Sequence, residues 1–261
     1  MSQPDALSAA LVEAWRSGKA LDADTAIRLA PGDDGTAYSV QRQVAHSLGW
    51  FPSGRPRAWK MGAPSLGAQP TAAGIADQLI VTGTPESPFR LSLSSVHSLI
   101  GVEVELTIKL AHDLGAHASL TEASAAVAEV YAAIEVCDVR AEAWKSLPPL
   151  FRLADQQMNR WLILGTSTVT PWQEDYAQRE VMLHINDHQT ARHRGGHPLD
   201  EPLHLLPWLA SHAASQYEGG LLAGDLITTG TWTGLYEAKA GDRIHACFGG
   251  IGEVALVIDA A

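Results

Sequence analysis

The sequence predicts an α+β fold, with a small helical N-terminal part ahead of a β-rich core. Three observations lead to it. Helix-spaced apolar positions dominate the first 50 residues. The chain beyond them breaks into short apolar runs punctuated by Gly, Pro and Thr. The later helical stretches are grouped among strands instead of alternating strictly with them, which disfavours a doubly wound parallel sheet. The expected division is an N-terminal α/β subdomain over residues 1–85 and a β-rich core over residues 86–261.

In order along the chain, Leu7, Leu11 and Trp15 recur every fourth residue, an amphipathic helix with Gly18 as its stop. A second helix fits "GTAYSVQRQVAHSLGW", opened by Asp33 or Asp34 and closed near Gly49. "GRPRAWKMGAPS" holds a short strand around Trp59–Met61, and the stretch to about residue 90 reads as brief strands and turns. "IGVEVELTIKL" is a strand. Ser119 and Glu122 form a capping box for an Ala-rich helix running to about Ala132, with the strand "AIEVCDV" directly after it. "VMLHINDHQTARHR" reads as a hairpin turning near Asn186–Asp187. "PLDEPLHLLPWLASHAASQYEGG" is a helix stopped by Gly219 and Gly220, and strands and turns fill the remainder.

Composition narrows the function classes. The net charge of −11 excludes the basic surface that a nucleic-acid binder needs and disfavours an anionic membrane surface. No apolar run approaches the roughly 18 residues of a membrane span. The N-terminal stretch lacks a basic-then-apolar signal design, so a cytoplasmic location is expected. Cys137 and Cys247 sit in apolar stretches with no C-x-x-C spacing, and are expected as buried core thiols.

Within "IGVEVELTIKL", Glu103 and Glu105 share one strand face while Val102, Val104 and Leu106 take the other. Glu135 lies in a later apolar strand. Buried carboxylates so placed need compensation. Ion pairs to Arg or Lys supply it in one reading, and a hard divalent cation with oxygen ligands in the other. Residue types alone do not choose between them.

Five segments in register carry a resemblance: "AWKMGAPS", "GVEVELTI", "AIEVCDVR", "GGHPLDEPLHLLPWLA" and "LLAGDLITTGTWTG…AGDRIHACFGGIGEV". Together, over nearly the whole chain, they resemble the 2-keto-4-pentenoate hydratase / 4-oxalocrotonate decarboxylase family of the fumarylacetoacetate hydrolase superfamily. The resemblance implies a mixed β-roll core and a Mg²⁺ or Mn²⁺ ion held by Glu103, Glu105 and Glu135. It implies Lys60 as a catalytic residue and Asp77 as an acid/base group of the active-site lid or rim. The implied activity is a lyase acting on a small 2-oxo or 2-hydroxydienoic acid, with hydration of a conjugated double bond foremost. Decarboxylation of an oxalocrotonate- or oxaloacetate-like diacid, C–C bond hydrolysis, and an accessory role that keeps the metal site are the alternatives. A homo-oligomer, dimer or higher, and association with a pathway partner enzyme are implied as well.

The chain also departs from the family pattern. Where the family carries A-D-N followed by small residues, this chain reads "ADQQMNRWLILG". The larger side chains from Gln156 to Trp161 either re-cut the substrate pocket or point away from it. In the first case Asn159 and Arg160 bind substrate, Arg160 pairing with a second carboxylate. "GTWTG" still offers Thr231 and Thr233 to an anion, and Ser65 keeps a family position beside the unexpected Pro64. Asp138 and Arg140 are expected to form an ion pair bracing their strand. His193 and His197, four apart, flank Arg194, Gly195 and Gly196, so zinc is disfavoured.

Overall fold

The computed structural model describes residues 3–169 and 176–260. Helix α1 (Gln3–Ser17) buries Leu7, Leu11 and Val12 and ends at Gly18, whose φ of 70° suits a residue without a Cβ. Helix α2 (Ala23–Leu29) is capped by Asp22, and α3 (Asp34–Leu48) by Asp33, whose Oδ1 accepts the Thr36 N–H at 2.8 Å. Asp34 is therefore inside the helix and not its cap. Trp15 meets Trp50 edge-on at 4.9 Å, joining the ends of α1 and α3.

The strands follow as β1 (Ala58–Gly62), β2 (Thr71–Ile75), β3 (Ile80–Thr82), β4 (Phe89–Leu91) and β5 (Gly101–Leu110). After α4 (Leu120–Ala125) come β6 (Val127–Cys137), α5 (Pro149–Ala154), β7 (Asn159–Thr168), β8 (Glu180–Ile185) and β9 (His188–Arg194). Helix α6 (Leu206–Gln216) precedes β10 (Leu226–Thr231), β11 (Tyr236–Glu237), β12 (Arg243–Phe248) and β13 (Gly252–Ile258). One sheet runs β2-β1-β10-β5-β6-β7-β3, with β11 also on β5; the other runs β4-β13-β12-β8-β9. The α+β expectation holds.

Alternation along the central strands separates two cores. Val102, Val104, Leu106, Ile134 and Val136 pack with Val181, Leu183, Ala246 and Val254 of the second sheet. Ala133, Cys137 and Leu162 lie on the other side with Leu7, Leu11, Val40 and Phe151 of the helices. The sheets touch closely at Gly165, where a Cβ would stand 2.0 Å from the Glu253 carbonyl oxygen. Among the described residues no helix is long and apolar enough to cross a membrane.

Three local expectations need correction. The capping box of Ser119 and Glu122 is present, but α4 ends at Ala125 instead of near Ala132. From Val127 the chain pairs with β5 for the length of β6, and sheet pairing overrides the helical preference of its alanines. Helix α6 starts at Leu206 instead of 198; Pro207 lacks an N–H to donate and fits only in a first turn. The hairpin of β8 and β9 turns at Asn186, φ 57°, where the sequence places it.

The third correction concerns Arg140, whose ion pair is with Asp155. Its Nε donates to Asp155 Oδ1 at 2.6 Å, its other nitrogens to the Asn159 and Asp155 carbonyls, and its guanidinium lies over the Trp15 ring. Burial pushes the Asp155 carboxyl up to about 6 against the pull of Arg140. Asp138 instead accepts the backbone N–H groups of His97, Ser98, Leu99 and Val139 and contacts His97 Nδ1 at 2.8 Å. Burial opposes its charge, yet His97, Arg140 and these N–H groups hold it below its ordinary 3.8. Its contribution is therefore complete above that value and is lost as pH falls through the lower folded value. Asp138→Asn should lower stability by about 2–4 kcal/mol near neutrality. It should also flatten the acid limb of a urea-midpoint-against-pH curve.

Candidate active site

Antiparallel pairing sets Glu135 of β6 directly opposite Glu103 of β5, with Glu105 two residues along on the same face. Carboxylates facing one another across strands repel. Lys60, on β1, reaches across this face, and its Nζ stands 2.6 Å from Glu135 Oε1. Burial works against the Lys60 charge, but Glu135 foremost, then Cys137, Glu103 and Glu105, outweigh it and hold the ammonium protonated.

The rest of the cluster is fixed by hydrogen bonds. Glu135 Oε1 also accepts Asn159 Nδ2 at 2.9 Å, whereas its fully buried Oε2 has no partner among the described residues. Glu105 Oε2 accepts the Gly230 N–H at 2.9 Å and the Thr228 hydroxyl. Cys137 Sγ donates to Glu103 Oε2 at 3.3 Å. Burial, then the neighbouring carboxylates, pushes Glu105 up to about 8. Burial raises Glu103 too, with Lys60 opposing and Glu135 adding.

Lys60 is aimed by an unusual turn. Its Nζ donates to the Gln157 carbonyl at 2.9 Å, and Gln156, Gln157 and Met158 have φ of 52°, 53° and 64°. Left-handed backbone costs a residue with a Cβ about 1–2 kcal/mol. Anchors hold the turn: Gln156 Nε2 donates to the Gln41 carbonyl, Gln157 Nε2 to Thr71 Oγ1, and the Asp138 N–H to the Met158 carbonyl.

Above the acids opens a cavity of about 380 Å³, walled by Met61, Gln157, His197, Leu199 and Thr231, with Lys60, Glu103 and Glu105 at its base. A larger hollow of about 530 Å³ lies over His112–Ala126. Its acids are engaged otherwise, Asp113 with the Ala223 N–H and Glu122 in the α4 capping box, so the chemistry converges at the smaller one.

Of the residues singled out from the sequence, Lys60, Glu103, Glu105 and Thr231 stand at this cavity, and Glu135 and Asn159 lie beneath it. Ser65 and Asp77 are exposed and off its wall, Asp77 on the one-turn 3-10 helix Asp77–Leu79. Thr233, also off the wall, donates to the Gly234 carbonyl. Arg160 turns away. The register step from Val136↔Trp161 to Cys137↔Asn159 leaves it as the extra residue of a bulge. Its Nε donates to the Ser95 carbonyl, and its guanidinium lies over Trp15 and Trp161.

Sequence reasoning missed three residues here. Gln157 lies in the altered segment, whose turn no pattern announced. His197 was weighed only as a zinc ligand; it is buried, with Nε2 2.9 Å from the Thr229 carbonyl oxygen and burial lowering its pKa. Cys137 is the buried core thiol the sequence implies, with burial pushing its pKa up, whereas Cys247, expected to be buried too, is only half-buried. What went unread for Cys137 is its contact with the Glu103 carboxylate, for which its place two residues after Glu135 on one strand was the available signal.

The donor set fits a divalent cation. One oxygen each from Glu103 and Glu135, with the Cys137 sulfur, lies within 4.8 Å of the others. Three carboxyls against one ammonium leave room for two positive charges, and the orphaned Glu135 Oε2 is the kind of atom a cation satisfies. Glu105 lies outside that tightest grouping, at the cavity base.

Comparison with known proteins agrees with this arrangement. The sequence profile of the fumarylacetoacetate (FAA) hydrolase C-terminal domain matches residues 64–258. The chain belongs to the fumarylacetoacetate hydrolase family. It is 28% identical to 2-keto-4-pentenoate hydratase 2 of Dechloromonas aromatica (strain RCB), over 97% of this chain and 97% of that protein. Among solved structures, 4-oxalocrotonate decarboxylase from Pseudomonas putida G7, complexed with magnesium and adipate, superimposes with a TM-score of 0.82. The two share 23% identity, over 98% of this chain and 97% of that one. Fumarylpyruvate hydrolase from Pseudomonas aeruginosa, in complex with Mn²⁺ and pyruvate, gives a TM-score of 0.59 at 15% identity, over 78% of this chain and 89% of that one. These structural likenesses establish the family fold.

Lys60→Met would leave Glu135 buried without its counter-charge. In chelator-treated protein it should destabilise by about 3–5 kcal/mol, read from urea unfolding. Added divalent cation should recover part of that loss.

Proposed function

We propose that this protein is a divalent-metal-dependent lyase acting on a small 2-oxo or 2-hydroxydienoic acid, as a hydratase of the 2-keto-4-pentenoate type. The observation that carries the reading is the buried, unpartnered Glu135 Oε2 beside a protonated Lys60, at the base of a cavity sized for a small acid. Full-length similarity to a named hydratase supports the same reading. Glu103, Glu105 and Glu135 would hold Mg²⁺ or Mn²⁺, the ions with which two similar structures are complexed. When bound, the cation supplies Lewis acidity toward a 2-oxo acid.

The side chains divide the remaining work. Lys60, with two of its three N–H donors engaged by Glu135 and Gln157, has one donor to spare at the base of the cavity. There it stabilises negative charge developing at the substrate C2 oxygen and hands a proton to the adjacent carbon. Its position favours it over the exposed Asp77 for this proton transfer. Gln157 and His197 shape the wall, and Met61 and Leu199 keep water from one side of the pocket.

The wall composition favours a monoacid. Among the described residues lining the cavity, Lys60 is the one permanently cationic side chain, and burial keeps His197 toward its neutral form. With Arg160 withdrawn, a second substrate carboxylate would find no partner, which weighs against decarboxylation of a diacid.

Purified protein with Mg²⁺ or Mn²⁺ should consume 2-hydroxypentadienoate, read as loss of ultraviolet absorbance, and a chelator should stop it. Lys60→Met should lower kcat by about 10²–10⁴-fold. Release of CO₂ from oxaloacetate without diene turnover would show a decarboxylase instead. No turnover of either, with metal affinity indifferent to oxalate, would show an accessory protein. Because Glu105 holds a proton up to about 8, cation loading near neutrality should release it. Metal affinity should therefore rise with pH and level off above that value, as checked by calorimetry in buffers of different ionisation enthalpy.

A further inference from the structure

Gln157 brings two polar groups to the cavity, and the fold uses only part of them. Its backbone carbonyl takes one N–H of Lys60, while the residue itself lines the wall. Nε2 donates to Thr71 Oγ1 at 2.8 Å, and the Thr71 hydroxyl is in turn directed to the Gly62 carbonyl at 3.4 Å. That direction leaves the Thr71 oxygen as an acceptor, which sets Nε2 and not Oε1 toward it. Oε1 is buried and meets no donor among the described residues. Gln157 also stands at φ 53°, and strained backbone of this kind gathers at ligand sites.

We propose that the Gln157 amide holds the water that adds to the substrate, Oε1 accepting one of its O–H groups and aiming its lone pair at C4. This rests on the hydratase reading and names the residue that places its water. Lys60 bonds the carbonyl of the same residue, so a chain with its C2 oxygen at Lys60 runs its next carbons past the Gln157 side chain. One hydrogen bond tethers the amide, and the broad torsion of its last bond lets Oε1 turn to a donor entering the cavity. In the reaction the O2 proton of the dienol moves to C5, which leaves C3=C4 conjugated to the C2 carbonyl. The water oxygen then bonds to C4 as the C3=C4 electron pair shifts toward the C2 oxygen. C3 takes a proton from Lys60, and the proton shed by the water restores the ammonium. One water is added and no electrons are exchanged; the amide accepts a hydrogen bond and never a proton.

Two reactions of the Mg²⁺-loaded protein separate this role from a structural one. Hydration of 2-hydroxypentadienoate is read by ultraviolet absorbance, and exchange of the C3 hydrogens of 2-oxopentanoate in D₂O by NMR. The exchange draws on Lys60 but needs no attacking water. Gln157→Met should lower kcat for hydration about ten- to a hundredfold, with KM little changed, while exchange keeps most of its rate. Thr71→Val leaves the left-handed turn intact and frees the amide; it should show the same split at about three- to tenfold, and it decides the matter if Gln157→Met does not fold. Equal losses in both reactions would mean that Gln157 acts only by aiming Lys60, and no loss in either would make it a bystander. Each overturns the proposal while the hydratase reading stands. Absence of hydration by the unmodified protein overturns both.

Discussion

Three carboxyl groups and one ammonium buried on a single sheet face form the constraint around which this molecule is arranged. Desolvation of each charge is severe, and only mutual compensation makes the cluster tolerable. The demand reaches far along the chain. Lys60 must arrive from β1, Asn159 from β7, and the Gln157 carbonyl from a left-handed turn, all to serve one carboxylate on β6. Even so, one oxygen of that carboxylate finds no partner among the described residues. A cluster built for stability alone would have closed that gap with a hydroxyl or an amide.

The acidic floor is tied to the N-terminal helices through the end of β6. Just beyond Cys137, Asp138 gathers the backbone N–H groups of residues 97–99, and Arg140 locks onto Asp155 at the start of the left-handed turn. Trp15 of α1 lies against both Arg140 and Arg160, and His97 Nε2 stands 3.0 Å from the Ala14 carbonyl oxygen. Packing of the helices on this side therefore governs how rigidly the turn, and with it Lys60, is held.

Much of this was legible in the sequence because it rests on short-range periodicity. The caps at Asp33 and Ser119, the turn at Asn186 and the shared face of Glu103 and Glu105 follow from rules spanning a few residues. The end of α4 was not legible, since pairing with a distant strand decides it. Nor was Arg160 leaving the site, because one extra residue in β7 re-aims a side chain and no local pattern signals a bulge. The register of family segments was enough to bring Lys60 and Glu135 together. It could not foretell that Asp77 and Ser65 would face solvent, since loops between matched segments carry no periodic constraint. Cys137 is buried as its apolar neighbours imply, and its contact with Glu103 follows from its strand parity with Glu135.

The left-handed run at Gln156, Gln157 and Met158 bears on any attempt to make this protein more heat-resistant. Glycine relaxes such backbone without a Cβ clash, so a stabilisation survey scored on melting temperature alone would select it there. Each such replacement at Gln156 or Gln157 would also discard a side-chain tether, to Gln41 or to Thr71, and widen the range of directions open to the carbonyl that steers the ammonium. Thermal tolerance and catalytic accuracy are thus set in opposition within three consecutive residues.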